Sequence, residues 1–455
     1  MTILISGISG VRGIINDGFD EEVVKVYTRA FAQLMDNGRI VIAQDSRPSG
    51  EMFKAVVEET LSQLGCEIID CGICPTPTAQ LMVKDLNARG GIIVTASHNP
   101  IEWNALKFVG DEGLFLDSDE HKQLQIELAK VSEAGPLTAE RSGSVTKLDD
   151  RLERHIQNVM ALDLMNVPAI RALKPKVVID AINGAGSEVL PAFLERLGCE
   201  VIPINCDNDG NFVHTPEPLP ENLMELRSTV SRVGADIGIA TDPDADRLAV
   251  IDANGNPLVE EYTLVLAAYH ALRHAKEDDR RPLVTNLSST KALDDLAERY
   301  GRQVLRTPVG EIHVARKMQQ QDSLIGGEGN GGVILAESHL GRDSLVASGL
   351  ILSLMAETKQ SIREIADDLP RYEMVKDKIN VQGYQPADIL QSLAEKYASL
   401  TPNLEDGVKI SWKDRWVHFR ASNTEPIVRI FAEASTRTIA ASLVNEFKTE
   451  IQDLL

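Results

Sequence analysis

A serine and a histidine stand side by side in Thr95-Ala96-Ser97-His98-Asn99-Pro100, directly after the apolar run Gly91-Ile92-Ile93-Val94. A serine hydroxyl is a poor nucleophile unless a neighbour takes its proton or it already carries a transferable group, and His98 and Asn99 can hydrogen-bond to either. Taken alone, the segment reads more often as a capping turn. A second loop, Thr241-Asp242-Pro243-Asp244-Ala245-Asp246-Arg247, follows another apolar run. Its three carboxylates at alternate positions repel one another in a turn unless a cation offsets them. Hard oxygen ligands of this kind suit Mg²⁺, which commonly shares a phosphate oxygen, and Arg247 is placed to hold that phosphate. A calcium loop of the EF-hand kind would need a downstream ligand glutamate and flanking helices, which are missing. A third segment, Arg420-Ala421-Ser422-Asn423-Thr424-Glu425-Pro426, precedes Ile427-Val428-Arg429. Hydroxyls, an amide and two flanking arginines make a plausible phosphate clamp, although by itself a surface turn between strands is the commoner reading.

Loops of this kind need rigid elements beneath them, and the chain supplies these in a weak internal repeat. Leu64-Gly65-Cys66-Glu67 ends one helical pattern before Ile68-Ile69, Leu197-Gly198-Cys199-Glu200 does so before Val201-Ile202, and Tyr300-Gly301-Arg302-Gln303 before Val304-Leu305. Each glycine falls where a helix ends. Ahead of each helix lies an apolar strand, beginning near Arg39, Pro175 and Pro282, and after it another strand with a distinctive loop: TASHNP, TDPDADR and GGEGNGG. The recurrence predicts three related mixed α/β-sheet domains covered by helices. In open α/β sheets ligands lie beyond the carboxyl ends of strands, so the three loops could be aimed into one central cleft.

At 455 residues and 43% hydrophobic content, the chain can bury several cores, three or four domains by length. The balance of 68 acidic against 46 basic residues, a net charge of -22, argues against nucleic acid or an anionic membrane as a general partner. It leaves room for a phosphorylated ligand if arginines and lysines are focused in one cleft. The start, MTILISGISGVRGII, lacks a basic segment followed by a long apolar one, and no stretch is long enough to span a bilayer, so the cytoplasm is the expected compartment. Five cysteines, at 66, 71, 74, 199 and 206, suit reduced thiols better than a disulfide framework. Cys71 and Cys74 form a single CxxC, read as small buried residues near a turn rather than a zinc or redox site.

Together the loops resemble those of the α-D-phosphohexomutase superfamily, over almost the whole chain and in order. TASHNP resembles its phosphoserine loop, DPDADR its magnesium loop, GEGNGG its sugar-specificity loop and RASNTEP its phosphate-binding loop. Ser9-Gly10-Val11-Arg12-Gly13, Asp45-Ser46-Arg47-Pro48-Ser49-Gly50, Asn183-Gly184-Ala185-Gly186 and Thr307-Pro308-Val309-Gly310 are similar to further family segments. The resemblance implies three related α/β domains and a smaller α+β C-terminal domain closing over the cleft, with domains at 1–150, 151–255, 256–370 and 371–455. For the last, Asp377 to Asn380, Val408 to Ser411, Trp416 to Arg420 and Ile427 to Phe431 read as strands, with helices near Pro386 to Ser399 and Thr438 to Leu454. The stretch from Leu345 reads as helices completing the third domain.

The resemblance further implies a mutase that interconverts hexose 1- and 6-phosphates through a phosphorylated Ser97 and a bisphosphorylated sugar. It implies Mg²⁺ on Asp242, Asp244 and Asp246 together with Ser97, Arg247 against the phosphoserine, and Lys107 as acid/base with Arg12 as helper and His98 orienting the phosphoserine. Glu328 and Asn330 would meet the sugar, and Arg420, Ser422, Asn423, Thr424 and Arg429 the distal phosphate. A sugar 1,6-bisphosphate is the expected activator. Many relatives carry Gly-Glu-x-Ser-Gly-His in the third loop, whereas this chain has Gly327-Glu328-Gly329-Asn330-Gly331-Gly332 and so lacks that histidine. GEGNGG looks most like the loop of phosphoglucosamine mutases, with phosphomannomutase/phosphoglucomutase as the alternative. A phosphatase and a non-catalytic sugar-phosphate sensor are the readings from other classes.

Overall fold

The computed structural model describes residues 4–135, 142–422 and 426–454. Three of its four sheets repeat one plan. In the first, the strands Arg39–Gln44, Glu67–Ile73 and Gly90–Val94 run parallel and Trp103–Gly110 antiparallel. The second uses Lys176–Asp180, Glu200–Ile204, Ile237–Thr241 and the antiparallel Leu248–Asp252, and the third Leu283–Asn286, Val304–Thr307, Ile325–Glu328 and the antiparallel Gly332–Leu335. In each, the spatial order is second, first, third, fourth. The first sheet is widened by Leu4–Gly7 and Gly10–Ile15 beside Trp103–Gly110, and by Ser144–Lys147 at the opposite edge.

The strands beneath the loops are short, and Gly90–Val94 and Ile237–Thr241 are buried at every position. Helices on both faces produce this, which is why these strands read as unbroken apolar runs rather than alternating ones. Gly198 and Gly301 take φ of +94° and +64° at the ends of their helices, as their positions in the repeat predicted. The helix Ser344–Thr358 is apolar on all sides and buried from Ser344 to Ala356. A helix without a polar face must lie inside, and this one packs on Glu261–His274, Val167–Leu173, Arg151–Met160 and Gly186–Leu197. Each large side chain it buries contributes about 1.5–3 kcal/mol. One continuous core thereby runs through the first three sheets, including Ile93, Ile239, Ile325 and Leu350.

The fourth sheet is antiparallel, in the order Glu373–Asn380, Ile427–Ala434, Trp416–Ala421, Val408–Ser411, and carries the helices Pro386–Lys396 and Arg437–Leu454. Its first strand begins four residues before the sequence expectation: Glu373 to Lys376 pair with Phe431 to Ala434 at the sheet edge, where Met374 and Val375, flanked by charged residues, make too short an apolar run to mark a strand. This sheet has its own core, with Val417, Phe419, Ile430 and Phe447. It meets the third sheet through polar contacts: Ser288 Oγ lies 2.9 Å from His418 Nδ1, Lys409 Nζ donates to the Leu287 carbonyl at 2.5 Å, and Lys291 N donates to Glu433 at 2.7 Å. Among the described residues no helix is long and apolar enough to cross a membrane.

Candidate active site

Ser97 sits in the turn after Gly90–Val94 with φ of +49°, a left-handed conformation that costs a non-glycine residue about 1–2 kcal/mol. Arg47 holds that turn. Its guanidinium donates to four backbone carbonyls, of Ser97 at 2.7 Å, Asn99 at 3.2 Å, Pro100 at 3.0 Å and Trp103 at 2.7 Å, and to Asp45 at 2.8 Å. Asp45 also accepts from the Thr95 hydroxyl, which in turn accepts from Ser97 N–H at 3.0 Å. The strain of the serine is therefore held by a buried, fully used arginine fork. The resemblance had marked the segment containing Arg47 without a role for it.

The hydroxyl so presented meets the acidic loop. Ser97 Oγ donates to Asp242 Oδ2 at 3.0 Å, across 145 residues of chain. Asp242, Asp244 and Asp246 are all buried, and their oxygens lie within 4.8 Å of one another. Lys107 Nζ and the Thr76 hydroxyl both donate to Asp244 Oδ2 at 2.6 Å. Among the described residues, Asp244 Oδ1 and Asp246 Oδ1 are buried oxygens without a hydrogen-bond partner. Buried carboxylate oxygens rarely stay unpaired, and an all-oxygen set of this kind fits Mg²⁺. The charges agree: burial, then Asp246 and Asp244, push the Asp242 carboxyl well above its usual range. Burial also acts on Asp244, but Lys107 outweighs it and holds that carboxyl below the usual range. Burial would lower the Lys107 ammonium, yet Asp244 and Asp246 raise it and keep it charged. His98 Nδ1 lies 3.4 Å from Ser97 Oγ, and burial followed by the charge of Arg247 drops its imidazole to about 3, so it is neutral.

The third loop is joined to the second by a residue that the sequence reading did not single out. Arg342 Nη2 donates to Asp246 at 2.5 Å, Nη1 to Glu328 at 2.8 Å and Nε to Glu311 at 3.0 Å. Its side chain fills the space above Gly332, where an added Cβ would lie 2.2 Å from Arg342 Cδ. A lone arginine between an apolar strand and a largely apolar helix was the available signal. Glu328 also accepts from Asn286 at 2.8 Å and Gly310 N–H at 3.0 Å, which leaves room for about one more donor on its carboxylate. Asn330 Oδ1 accepts from Gly332 N–H at 3.2 Å and so shapes the turn. Arg247 Nε lies 3.7 Å from both Asp242 and Asp246, and Nη1 is 3.7 Å from Glu217.

On the fourth sheet Arg420 and Arg429 are direct cross-strand partners, and Lys378 is the partner of Arg429 on its other side. Three cations on one rung repel unless an anion lies over them. Lys378 was not visible from sequence because only the strand register brings it there. Asp406 takes Arg420 Nε at 2.9 Å and Val309 N–H at 2.9 Å, tying this rung to the third sheet. Ser422 lies at the end of the Arg420 strand, and Asn423 and Thr424 fall outside the described residues. Across the cleft Arg12 stands on Gly10–Ile15, paired in register with Ala105 two residues before Lys107, with Nη1 3.5 Å from Asn99 Oδ1. Burial, then the charge of Arg429, lower the Arg12 guanidinium, so the two arginines feel each other. Cys71 and Cys74 are buried thiols, as expected.

Comparison with known proteins gives the same frame. Residues 4–134, 153–255 and 260–372 match the models of phosphoglucomutase/phosphomannomutase alpha/beta/alpha domains I, II and III, and 375–450 that of the C-terminal domain. The chain is 38% identical to a phosphoglucomutase/phosphomannomutase of Thermococcus kodakarensis, over 94% of each protein. It is 33% identical to a phosphoglucosamine/phosphogalactosamine mutase of Sulfurisphaera tokodaii, over 98% of each. A crystal structure of a phosphoglucomutase/phosphomannomutase family protein from Burkholderia thailandensis shares its fold with a TM-score of 0.83, covering 99% of this chain and 98% of that one at 24% identity.

Proposed function

The chain belongs to the phosphoglucomutase/phosphomannomutase family and is a phosphohexomutase, an isomerase, and on that footing we propose that Ser97 is its phosphoryl carrier and glucosamine phosphate its preferred substrate. The observation that carries the first part is the 3.0 Å contact between Ser97 Oγ and Asp242, which unites the strained hydroxyl with the three-carboxylate loop.

In the proposed cycle Ser97 carries a phosphoryl group at rest. A hydroxyl of the bound sugar phosphate forms the new P–O bond while the bond to Ser97 Oγ breaks, and the hydroxyl proton leaves to a base. The bisphosphate then turns over in the cleft and returns its other phosphoryl group to Ser97. Mg²⁺ held by Asp242, Asp244 and Asp246 would neutralise charge on the transferring group. Asp244 and Asp246 raise the affinity of Lys107 for its proton, so a cation on the acidic loop, by offsetting their charge, would lower that affinity towards that of an acid/base. Neutral His98, with its proton on Nδ1, would donate a hydrogen bond to the Ser97 oxygen and so orient the phosphoserine, and Arg12 and Arg247 flank the reacting group. Glu328 and Asn330 face the sugar. The rung of Arg420, Arg429 and Lys378, with Ser422, Asn423 and Thr424, grips the phosphate that is not reacting and serves both sugar orientations. A trace of sugar 1,6-bisphosphate primes Ser97.

The choice of sugar rests on the GEGNGG loop and on the Sulfurisphaera relative named for amino sugars. The Thermococcus relative, named for glucose and mannose phosphates, favours the second reading. Measuring kcat/KM side by side for the 1-phosphates of glucosamine, glucose and mannose, with Mg²⁺ and the matching bisphosphates, decides between them. A clear preference for glucosamine 1-phosphate supports the proposal, and equal or better use of the other two replaces it with phosphomannomutase/phosphoglucomutase activity.

A further inference from the structure

The geometry points to a second metal site, outside the acidic loop and of different chemistry: His270 and His274 of the helix Glu261–His274 with Glu357 of the helix Ser344–Thr358, suited to a borderline ion such as Zn²⁺, Co²⁺ or Ni²⁺. The ligand atoms of these three residues lie within 4.8 Å of one another, with Glu357 Oε2 2.8 Å from His274 Nε2 and 3.9 Å from His270 Nδ1. Ligands bound at about 2.1 Å around a tetrahedral ion are about 3.4 Å apart. These two separations lie on either side of that value, so a small shift of Glu357 towards His270 and away from His274 brings both to it and leaves the fourth position to water.

Proton placement makes this more than a cluster. His270 is fully buried, and its Nε2–H donates to the Leu164 carbonyl at 2.9 Å. A neutral imidazole with its proton on Nε2 has a lone pair on Nδ1, and among the described residues that buried atom has no hydrogen-bond partner. Burial lowers the His270 pKa, which keeps the ring neutral. The lone pair faces a carboxylate that cannot donate to it, an arrangement that a cation between them resolves. Two of the ligands are oriented from behind, as metal ligands usually are: buried His270 by Leu164, and the partly buried Glu357 by Asn166, whose amide donates to Oε1 at 2.8 Å and leaves Oε2 facing the imidazoles. The nearby Arg273 is turned away, onto the Tyr269 ring.

A similar cluster elsewhere shows the contrast. His155, His339 and Asp343 also lie within 4.8 Å, but His155 Nδ1 is 2.8 Å from the Thr78 hydroxyl and His339 Nδ1 accepts from Gly341 N–H at 3.1 Å. Both Nε2 atoms turn to Asp343, so no imidazole lone pair is left for an ion. Two imidazoles and one carboxylate disfavour Mg²⁺ and favour later divalent ions. The bound ion would staple the two central helices to the 164–166 segment, at Glu357, about 20 Å along its helix from Ser344, whose hydroxyl donates to the Ala245 carbonyl of the acidic loop at 2.7 Å.

The test is a Co²⁺ titration of the full-length protein, first stripped with a chelator and then held in excess Mg²⁺, read by visible absorption and by the thermal midpoint with one equivalent of Zn²⁺. The expected result is one Co²⁺ with the strong bands of a four- or five-coordinate nitrogen site and a Zn²⁺-dependent rise in midpoint. His274→Ala, a change at a partly exposed residue, and Glu357→Gln should lose both signals, while Asp244→Asn keeps them. Mutase turnover of His274→Ala should stay within twofold of the parent. Only the weak spectrum of a six-coordinate oxygen site in the parent protein, retention of the strong bands in His274→Ala, or their loss in Asp244→Asn would overturn the assignment.

Discussion

Gly332→Ala is a one-methyl change whose outcome depends on whether Arg342 sits where the structure has it. The new Cβ would lie 2.2 Å from Arg342 Cδ and 2.9 Å from Cγ, and Gly332 does not need a left-handed backbone, so the arginine is the obstacle. The Arg342 stem cannot swing freely because its guanidinium is pinned by Asp246, Glu328 and Glu311. Removing one partner of a buried ion pair costs about 3–5 kcal/mol. Here the carboxylates keep other partners: Glu328 retains Asn286 and Gly310, and Glu311, which burial pushes up to about 7 despite Arg342, can take up a proton. We therefore expect Arg342→Ala to cost about 3 kcal/mol, the low end of that range. Gly332→Ala should cost about 1–3 kcal/mol through overpacking. The double variant should be no less stable than Arg342→Ala, because the clash disappears with the side chain. Urea unfolding of the four proteins at neutral pH with Mg²⁺ measures the cycle, and the coupling should be about 1–3 kcal/mol. Additive costs, or a Gly332→Ala protein within about 0.5 kcal/mol of the parent, would refute the packing and with it the role of Arg342 in joining the second and third loops.

The remaining expectations concern the other loops. Arg47→Lys keeps the charge on Asp45 but cannot serve four carbonyls, so the Ser97 turn should shift and kcat/KM fall by about 100-fold; activity within a few-fold of the parent would show that the turn holds itself. Asp244→Asn removes an anionic oxygen and the partner of Lys107, so half-activation should need about tenfold more Mg²⁺ or higher, and an unchanged metal titration would contradict the assigned loop. His418 is brought down to about 4 by burial, against an ordinary 6.5. The unfolded chain then binds the proton first as pH falls, so stability present above pH 6.5 is lost towards pH 4, by up to about 1.4 kcal/mol per pH unit. His418→Gln should flatten that part of the urea-unfolding profile, and an identical slope in both proteins would remove the histidine from the acid response.

The sequence carried the local signals and lost the long-range ones. Apolar strands ending in polar loops were legible in three copies because burial on both faces forces unbroken apolar runs, and the loops announced themselves by residue type. In the fold Lys107 lies against Asp244 and Asp246, and Arg12 stands on the strand paired with that of Lys107. Arg342, Thr76 and Lys378 were not legible, since each acts on a partner reached only through tertiary packing or strand register: Arg342 on Asp246 across 96 residues, and Thr76 on Asp244 across 168. Gly332 reads in sequence as one more glycine in a flexible run. In the fold its missing side chain is the space in which Arg342 lies. The edge strand from Glu373 was read short because its first half offers only Met374 and Val375 between charged residues, too brief an apolar run to announce a strand.

The central proposal is that Ser97 carries the phosphoryl group, and peptide mass spectrometry after incubation with glucose 1,6-bisphosphate and Mg²⁺ tests it most directly. One phosphoryl group on the peptide containing Ser97, lost on later incubation with excess sugar monophosphate and absent from Ser97→Ala along with mutase turnover, is the predicted result. Turnover by Ser97→Ala, or a phosphoryl group found only at another residue, would contradict it.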